Sequence, residues 1–176
     1  MNPCFSLRGP LCELCAFVVA LHNNPGFDLG YGAADRSCWG GEGRTMRVCV
    51  DHQHQVFQVV DLETLEEVLA RRDPRGGAVF WIQTDDKEYP VFGIRASGDV
   101  ADVHYLPGDD HPGFRCIGSG GLSVEGMTTL VFEGCQPWSG EETMTMFIVP
   151  FETALSTAKE FFSSARMPES VEWFEL

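Results

Sequence analysis

Between residues 78 and 149, short runs of strand-forming residues alternate with turn signals, and this pattern constrains the fold more than any other feature of the chain. The runs cover residues 78–84, 89–96, 99–106, 114–117, 127–133 and 143–149. Asp, Gly and Pro separate them, most clearly in the loop at 107–113. Short strands at this spacing are typical of an antiparallel sheet, because tight turns can join consecutive strands. The pattern therefore predicts a meander.

Two further strand-forming runs and the first of two helical patterns precede this region. The runs cover residues 47–51 and 53–60, where valine recurs. Asp61 can then serve as an N-cap, because its short side chain can accept a hydrogen bond from the first turn of a helix. The apolar residues that follow recur at helical spacing: Leu62, Leu65, Val68 and Leu69. The segment is therefore predicted to be a short amphipathic helix, which stops at the breaker-rich sequence 73–77.

A second helix is predicted near the C terminus, opened by Pro150. Its apolar positions form one wide stripe: Phe151, Ala154, Leu155, Ala158, Phe161 and Phe162. Pro168 ends this segment, and a short extended piece follows with Val171, Trp173 and Phe174. A stripe of this width has to be buried, and the sheet offers the apolar surface for it. The predicted fold class is α+β, an antiparallel β-sheet meander with two amphipathic helices packed on it.

The chain carries a large negative charge that is unevenly spread. Its 26 acidic and 12 basic residues give a formal net charge of −14, and 22 of the acids with 9 of the bases lie in residues 46–176. Proteins that bind nucleic acid or anionic membranes through phosphate groups need an excess of Lys and Arg. We therefore predict no direct binding to nucleic acid or to a membrane. A basic protein is the partner that this charge favours, although the same charge can also simply keep a chain soluble.

The distribution of charge and cysteine divides the chain into two predicted pieces. Residues 46–176 are predicted to form the folded domain, and residues 1–45 a nearly neutral, poorly ordered N-terminal extension. The extension holds four of the seven cysteines: Cys4, Cys12, Cys15 and Cys38. Cys12 and Cys15 form a single C-x-x-C pair, which can be half of a zinc site or a redox pair. Apolar cysteines in an extension are the favoured interpretation, because a structural zinc site usually has a second closely spaced pair.

No segment has the length or composition of a membrane anchor or an export signal. The longest apolar stretch near the start, residues 11–21, is interrupted by Glu13 and is shorter than the about 20 residues of a spanning helix. No clear small-residue cleavage site follows it. An odd number of cysteines also fits a reducing compartment better than a disulfide framework. A cytoplasmic location is predicted.

The most suggestive polar cluster for catalysis is the sequence Asp109, Asp110, His111. Two adjacent carboxylates and an imidazole can bind a metal ion or act in acid–base chemistry. The flanking Pro-Gly pairs are typical of an ordinary solvated turn, and no nucleophile motif or phosphate-binding loop accompanies the cluster. His52 and His54 would share one face of a strand, but no third ligand has a defined spacing. We therefore predict no enzyme activity, cofactor or metal, and keep a small metal-dependent enzyme as an alternative.

Acidic pairs and one tryptophan on predicted loops are the candidate partner-binding residues. They are Asp85, Asp86, Asp109, Asp110, Trp138, Glu141 and Glu142. An exposed tryptophan among carboxylates is a reasonable anchor for a basic protein. The other interpretation is that Trp138 covers an end of the sheet and the acids are ordinary surface. The sequence favours neither of the two.

The C-terminal part of the domain resembles the Imm1 family of immunity proteins. The resemblance rests on segment 149–162, VPFETALSTAKEFF, and on the Pro-x-x-Val-x-Trp ending that begins at Pro168. The helix sequence DLETLEEVL at 61–69 and the glycine-broken meander also fit the layout of that family. The resemblance covers about residues 46–176, and residues 1–45 have no counterpart in it.

The resemblance implies a cytoplasmic antidote in a bacterial polymorphic toxin system. Such a protein binds a cognate toxin domain and blocks its active site, and the toxins of Imm1-like proteins are often nucleic-acid deaminases. Four residues match the family's pattern as residues of the fold: Phe161, Pro168, Val171 and Trp173. Trp173 is expected to seal the helix against the sheet, and the family has no catalytic residues to carry over.

This implication agrees with the charge of the domain. A toxin that acts on DNA or RNA has a basic substrate groove. An acidic protein can be steered to that groove electrostatically, which raises its association rate. A general protein-interaction domain with an unrelated partner is the other alternative.

Overall fold

The computed structural model describes residues 45–50, 55–118, 126–132 and 140–176, with the backbone alone for Cys49 and Val50. Predictions that concern residues 1–44, His52, His54 and Trp138 lie outside the described residues. Within them the chain forms ten strands, two α-helices and one 3-10 helix. In chain order these are β1 Met46–Val50, β2 Gln55–Val59, α1 Leu62–Leu69, β3 Gly77–Thr84, β4 Val91–Ser97, β5 Val100–Leu106, β6 Phe114–Ile117, β7 Met127–Leu130, β8 Glu141–Met144, the 3-10 helix Thr145–Phe147, β9 Ile148–Pro150, α2 Phe151–Ser164 and β10 Glu172–Glu175.

Eight of these strands form the main sheet, in the spatial order β10-β6-β5-β4-β3-β1-β2 with β9 also paired to β5. Every pairing among the described strands is antiparallel. Four consecutive strands, β3 to β6, lie side by side as a meander. The predicted α+β fold with an antiparallel meander and two helices is confirmed.

One face of the main sheet carries the hydrophobic core. Because side chains alternate between the two faces of a strand, cross-strand partners such as Ile82, Phe92 and Tyr105 line up on the same face. Phe161 of α2 stacks on Phe92 with the ring centroids 5.2 Å apart. The buried residues of α1 belong to the same cluster, so both helices pack on this face of the sheet.

The helix predictions are confirmed, with one exception. Asp61 caps α1 as expected, because its Oδ1 accepts a hydrogen bond from Thr64 N at 2.7 Å. Three of the predicted apolar residues of α1 are buried: Leu65, Val68 and Leu69. Leu62 is instead 42% exposed at the first position of the helix. An ion pair between Glu66 and Lys159 joins α1 to α2.

The C-terminal segment is docked on the core through Trp173. This residue lies on β10 opposite Cys116 of β6, so the predicted extended piece is a strand at the border of the sheet. Its ring centroid is 6.5 Å from that of Phe92 and 6.2 Å from that of Tyr105. Its Nε1 donates a hydrogen bond to the carbonyl oxygen of Pro168 at 2.8 Å. Trp173 therefore closes the junction between α2 and the sheet, as expected.

Residues 143–149 do not form the single strand that the sequence predicts. β8 ends at Met144, the 3-10 helix turns the chain, and β9 then pairs with β5. The turn lies against the end of β6, where Gly118 N donates a hydrogen bond to Met146 O at 2.6 Å. A Cβ at Gly118 would overlap the carbonyl oxygen of Ile148. β7 and β8 therefore leave the meander and pair with each other as a separate two-stranded unit, the β7–β8 sheet.

Candidate functional site

Four of the predicted partner-binding residues lie at one end of the main sheet. Asp85 and Asp86 are in the β3–β4 connection, and Asp109 and Asp110 are in the β5–β6 connection. Alternate connections of an antiparallel meander meet at the same end of the sheet, so these two loops are neighbours. Tyr89 Oη donates a hydrogen bond across them to Asp109 Oδ1 at 3.4 Å. We call these four aspartates the acidic end.

The carboxylates of the acidic end differ in how far the protein already engages them. Asp85 Oδ1 lies 3.3 Å from Arg47 Nε and accepts a hydrogen bond from Gln58 Nε2 at 3.3 Å. These contacts tie the β3–β4 turn to β1 and β2. All four side chains are exposed, and Asp109 also accepts the hydrogen bond from Tyr89. Their carboxylates are therefore placed to meet a positively charged partner.

His111, the third member of the predicted metal-binding or acid–base cluster, is part of the turn itself. Its Nδ1 accepts a hydrogen bond from Gly113 N at 2.9 Å, and its ring stacks on Phe114 with the centroids 4.9 Å apart. Its Nε2 lies 3.4 Å from Glu175 Oε1. Gly113 has φ +97°, and a Cβ there would press on Leu106 Cδ2 at 2.6 Å. Among the described residues, no group of three or more His, Cys, Asp or Glu side chains could hold a metal ion.

A second polar site lies on the face of the main sheet opposite the helices. Register pairs Arg95 of β4 with Asp102 of β5, and His104 of β5 with Arg115 of β6. Since neighbours in register share a face, and so do residues two apart along a strand, the four side chains converge. We call Arg95, Asp102, His104 and Arg115 the polar cluster. Its position was not among the predicted sites.

The carboxylate of Asp102 is the centre of the polar cluster. It is fully buried. Arg115 contacts it through Nε at 3.2 Å from Oδ1 and through Nη2 at 2.7 Å from Oδ2. His104 Nε2 lies 3.0 Å from Oδ2, and Arg95 Nη1 lies 3.8 Å from the same oxygen. A buried carboxylate is tolerated only when it is paired and hydrogen-bonded in this way.

The same neighbours decide the charge state of Asp102. Burial by itself would raise the pKa of this carboxyl, but His104, Arg115 and Arg95 together hold its pKa well below its usual range. Asp102 is therefore ionised at neutral pH. Because Glu141 also pairs with Arg95, the two arginines of this face are balanced by two carboxylates, the buried Asp102 and the exposed Glu141.

The polar cluster holds the β7–β8 sheet against the main sheet. Arg115 Nη2 donates a hydrogen bond to Thr143 Oγ1 at 2.8 Å, while Arg95 pairs with Glu141. The two guanidinium groups also lie over aromatic rings, Arg95 at 4.1 Å from the centroid of Phe132 and Arg115 at 4.1 Å from that of Phe147. Such cation–π contacts are worth about 0.5–2 kcal/mol each. Charged groups, together with the buried rings of Phe132 and Phe147, thus position β8.

The third acidic pair of the prediction is therefore separate from the acidic end. Glu141 and Glu142 are on β8, which crosses the second face of the sheet between Arg95 and Arg115. Both side chains are exposed, and Glu141 also pairs with Arg95. The structure thus places the predicted partner-binding residues that it describes on two surfaces.

Comparison with known proteins finds a similarity to an immunity protein. The chain is 27% identical over 121 residues to the double-stranded DNA deaminase immunity protein of Burkholderia cenocepacia (strain H111). The match covers 68% of this chain and 93% of that protein. No protein-family model matches the chain, so the resemblance to the Imm1 family stays a prediction. No helix of the described residues has the length and apolar composition to cross a membrane.

Proposed function

We propose that this chain is an immunity protein, which binds a cognate toxin domain and neutralises it without catalysing a reaction. The observation that carries the proposal is the similarity to an immunity protein over nearly the whole length of that relative. The toxin is proposed to be a nucleic-acid-directed deaminase, the class named for the relative. We further propose that the chain belongs to the Imm1 family, that it acts in the cytoplasm, and that residues 46–176 are the part that binds the toxin.

The mechanism that we propose is occlusion of the toxin's active site by the acidic surfaces. A deaminase that acts on DNA needs a basic groove to hold the phosphate backbone. Exposed carboxylates can occupy that groove in place of phosphates, because both groups accept charge-assisted hydrogen bonds from Arg and Lys. The proposed contacts are Asp85, Asp86, Asp109, Asp110, Trp138, Glu141 and Glu142.

The distribution of charge supports fast capture of such a toxin. With 22 acids and 9 bases in residues 46–176, this part has a formal net charge of −13. Electrostatic steering of this kind raises association rates by about 10- to 1,000-fold and weakens steeply with salt. Fast association with the toxin is an advantage for an immunity protein, because free toxin in the same compartment would act at once.

The experiment starts by identifying a toxin domain among the products of the reading frames beside the gene for this chain. Its association and dissociation rates with this protein are then measured, with the toxin domain in a catalytically inactive form. The test variant is Asp109→Asn with Asp110→Asn, which removes two charges from the acidic end. The matched control is Asp99→Asn with Glu152→Gln, which removes the same charge from exposed positions at the opposite end of the sheet. Both variants are compared at low salt and at physiological salt.

The expected result is a tight complex whose association slows with salt, and a larger loss of affinity for the acidic-end variant than for the control. Loss of one well-buried interface contact costs about tenfold in affinity. If both variants lose the same affinity, the acidic end contributes only to electrostatic steering and not to direct contacts with the toxin. The absence of any complex with the neighbouring toxin would overturn the proposed function.

A further inference from the structure

β2 forms one border of the main sheet, and its outer edge is open in the part of the chain that the structure describes. Its only partner among the described strands is β1. Every strand at a border presents a row of backbone N–H and C=O groups that its own sheet does not use. These groups can pair with an added strand.

The outer edge of β2 lacks the features that usually block such pairing. Natural edge strands are protected by charged side chains, proline, bulges or short length. β2 has the uncharged sequence Gln-Val-Phe-Gln-Val over five residues, and its register with β1 is continuous, so it has no bulge. The opposite border, β10, is shorter and carries Glu172 and Glu175 at its two ends. Of the two borders, β2 is the one suited to accept a strand.

Apolar side chains follow the open edge toward α1. Val56 is 43% exposed, Val60 is 62% exposed and Leu62 is 42% exposed. Single exposed apolar residues are normal on a protein surface, but these three lie within seven residues of the chain, from β2 to the first residue of α1. An added strand would cover part of this apolar surface as well as pair with the backbone.

The charges next to the edge identify the chemistry of the added strand. Asp61, Glu63 and Glu67 are exposed directly after β2. Arg47 is paired with Asp85, and the one charge of Arg71, which lies 4.3 Å above the ring of Phe57, is outnumbered by these three carboxylates. The excess of carboxylates next to the edge therefore favours a basic segment as the added strand. A second copy of this chain is disfavoured, because each copy brings its own large negative charge.

We propose that the open edge of β2 pairs with an extended, basic segment of the toxin, which thereby adds one strand to the main sheet. Backbone hydrogen bonds would fix the register of that segment, while Val56, Val60 and Leu62 receive its apolar side chains. The proposal rests on the proposed function for the identity of the partner, and it extends the interface from the acidic end to the neighbouring border strand β2, which Gln58 joins to Asp85.

The test is hydrogen exchange of the β2 amides, measured with and without the inactive toxin domain encoded beside the gene. The expected result is that outward-facing amides within Gln55–Val59 become protected in the complex. Val56→Lys puts a charge on the edge and is expected to weaken binding by about tenfold. The matched control is Ser163→Lys at an exposed position of α2, which adds the same charge away from the proposed contacts, with an expected change below about twofold. Thermal melting of both variants checks that they fold.

Each outcome separates this inference from the proposed function. A tight complex that leaves the β2 amides unprotected overturns the inference and leaves the immunity function standing. If the two lysine variants weaken toxin binding equally, the effect is one of net charge alone. That result also overturns the inference and leaves the immunity function standing. A homodimer of the free protein with protected β2 amides shows that a second copy occupies the edge, which also overturns it. The absence of a complex overturns both.

Discussion

Arg115 of β6 holds the buried carboxylate of Asp102 on β5 by two hydrogen bonds, at 3.2 Å from Nε and 2.7 Å from Nη2. The two-pronged geometry suits a guanidinium group and a carboxylate, and it fixes both side chains. Arg115 Nη2 also reaches Thr143 of β8. The pair therefore connects the interior of the main sheet to the strand that carries Glu141 and Glu142. Two of the proposed contacts with the toxin depend on it for their position.

Replacement of Asp102 by Asn is expected to lower the free energy of unfolding by about 3–5 kcal/mol at neutral pH, because the partly buried Arg115 loses its anion and Arg95 keeps only Glu141. Arg115→Lys keeps the charge but gives up the planar two-pronged contact, so a smaller loss is expected. Urea unfolding of both variants measures the effect. A loss below about 1 kcal/mol for the Asp102 variant, the ordinary range of an exposed pair, would contradict the central role of this carboxylate.

The pKa of Asp102 makes stability depend on pH in a definite direction. Its pKa is held below the usual range in the folded protein, so the unfolded chain binds this proton more readily. The resulting stability is complete above the ordinary Asp pKa of about 3.9 and is lost as the pH falls below it. The difference in unfolding free energy between the wild type and Asp102→Asn should therefore narrow below about pH 4. A constant difference from neutral pH down to about pH 2 would refute this linkage.

The sequence predicts the architecture well, because the patterns that define it are local. Asp61 and the helical spacing behind it locate α1, and the stripe from Phe151 to Phe162 locates α2. Pro90 was compatible with either a strand start or an edge, and β4 begins at Val91 in the interior of the sheet. The failure at 143–149 has a tertiary cause, since the contact with Gly118 turns the chain there.

The polar cluster was missed although its signal is present in the sequence. Arg95, Asp102, His104 and Arg115 interrupt strands that are otherwise apolar, and a charged residue within a buried strand needs a partner. Periodicity alone assigns such residues to a solvated face. Only the cross-strand register brings them together and places the β7–β8 sheet above them. Of the predicted loop acids, Asp85, Asp86, Asp109 and Asp110 do lie on connections, whereas Glu141 and Glu142 lie on the strand β8. The role of all six in binding remains a prediction.

Truncation of Trp173 to Ala should lower the free energy of unfolding by about 3 kcal/mol, the lower end of the range for large aromatic residues, because the ring is partly exposed. The variant loses contacts with Phe92 and Tyr105 and the hydrogen bond to Pro168. Trp173→Phe keeps an aromatic ring there but removes the hydrogen bond to Pro168. The loss of unfolding free energy in this variant therefore measures the hydrogen bond apart from the ring contacts, and about 1 kcal/mol is expected for it. An unchanged melting temperature for the Ala variant would show that β10 is not docked in solution.

Removal of residues 1–45 should leave both folding and toxin binding nearly intact. The main sheet, its core and the acidic end are built from residues that follow this segment. Thermal melting and binding to the inactive toxin domain are compared between the full chain and the shortened one. Loss of soluble protein on deletion would contradict the division at residue 45.

The most direct test of the proposed function is titration of the active toxin domain encoded beside the gene with the full chain, with deamination of double-stranded DNA as the readout. An immunity protein that occludes the active site is expected to abolish deamination at an equimolar amount, and added DNA is expected to compete with it. Undiminished deamination at a large molar excess of this protein would contradict the account.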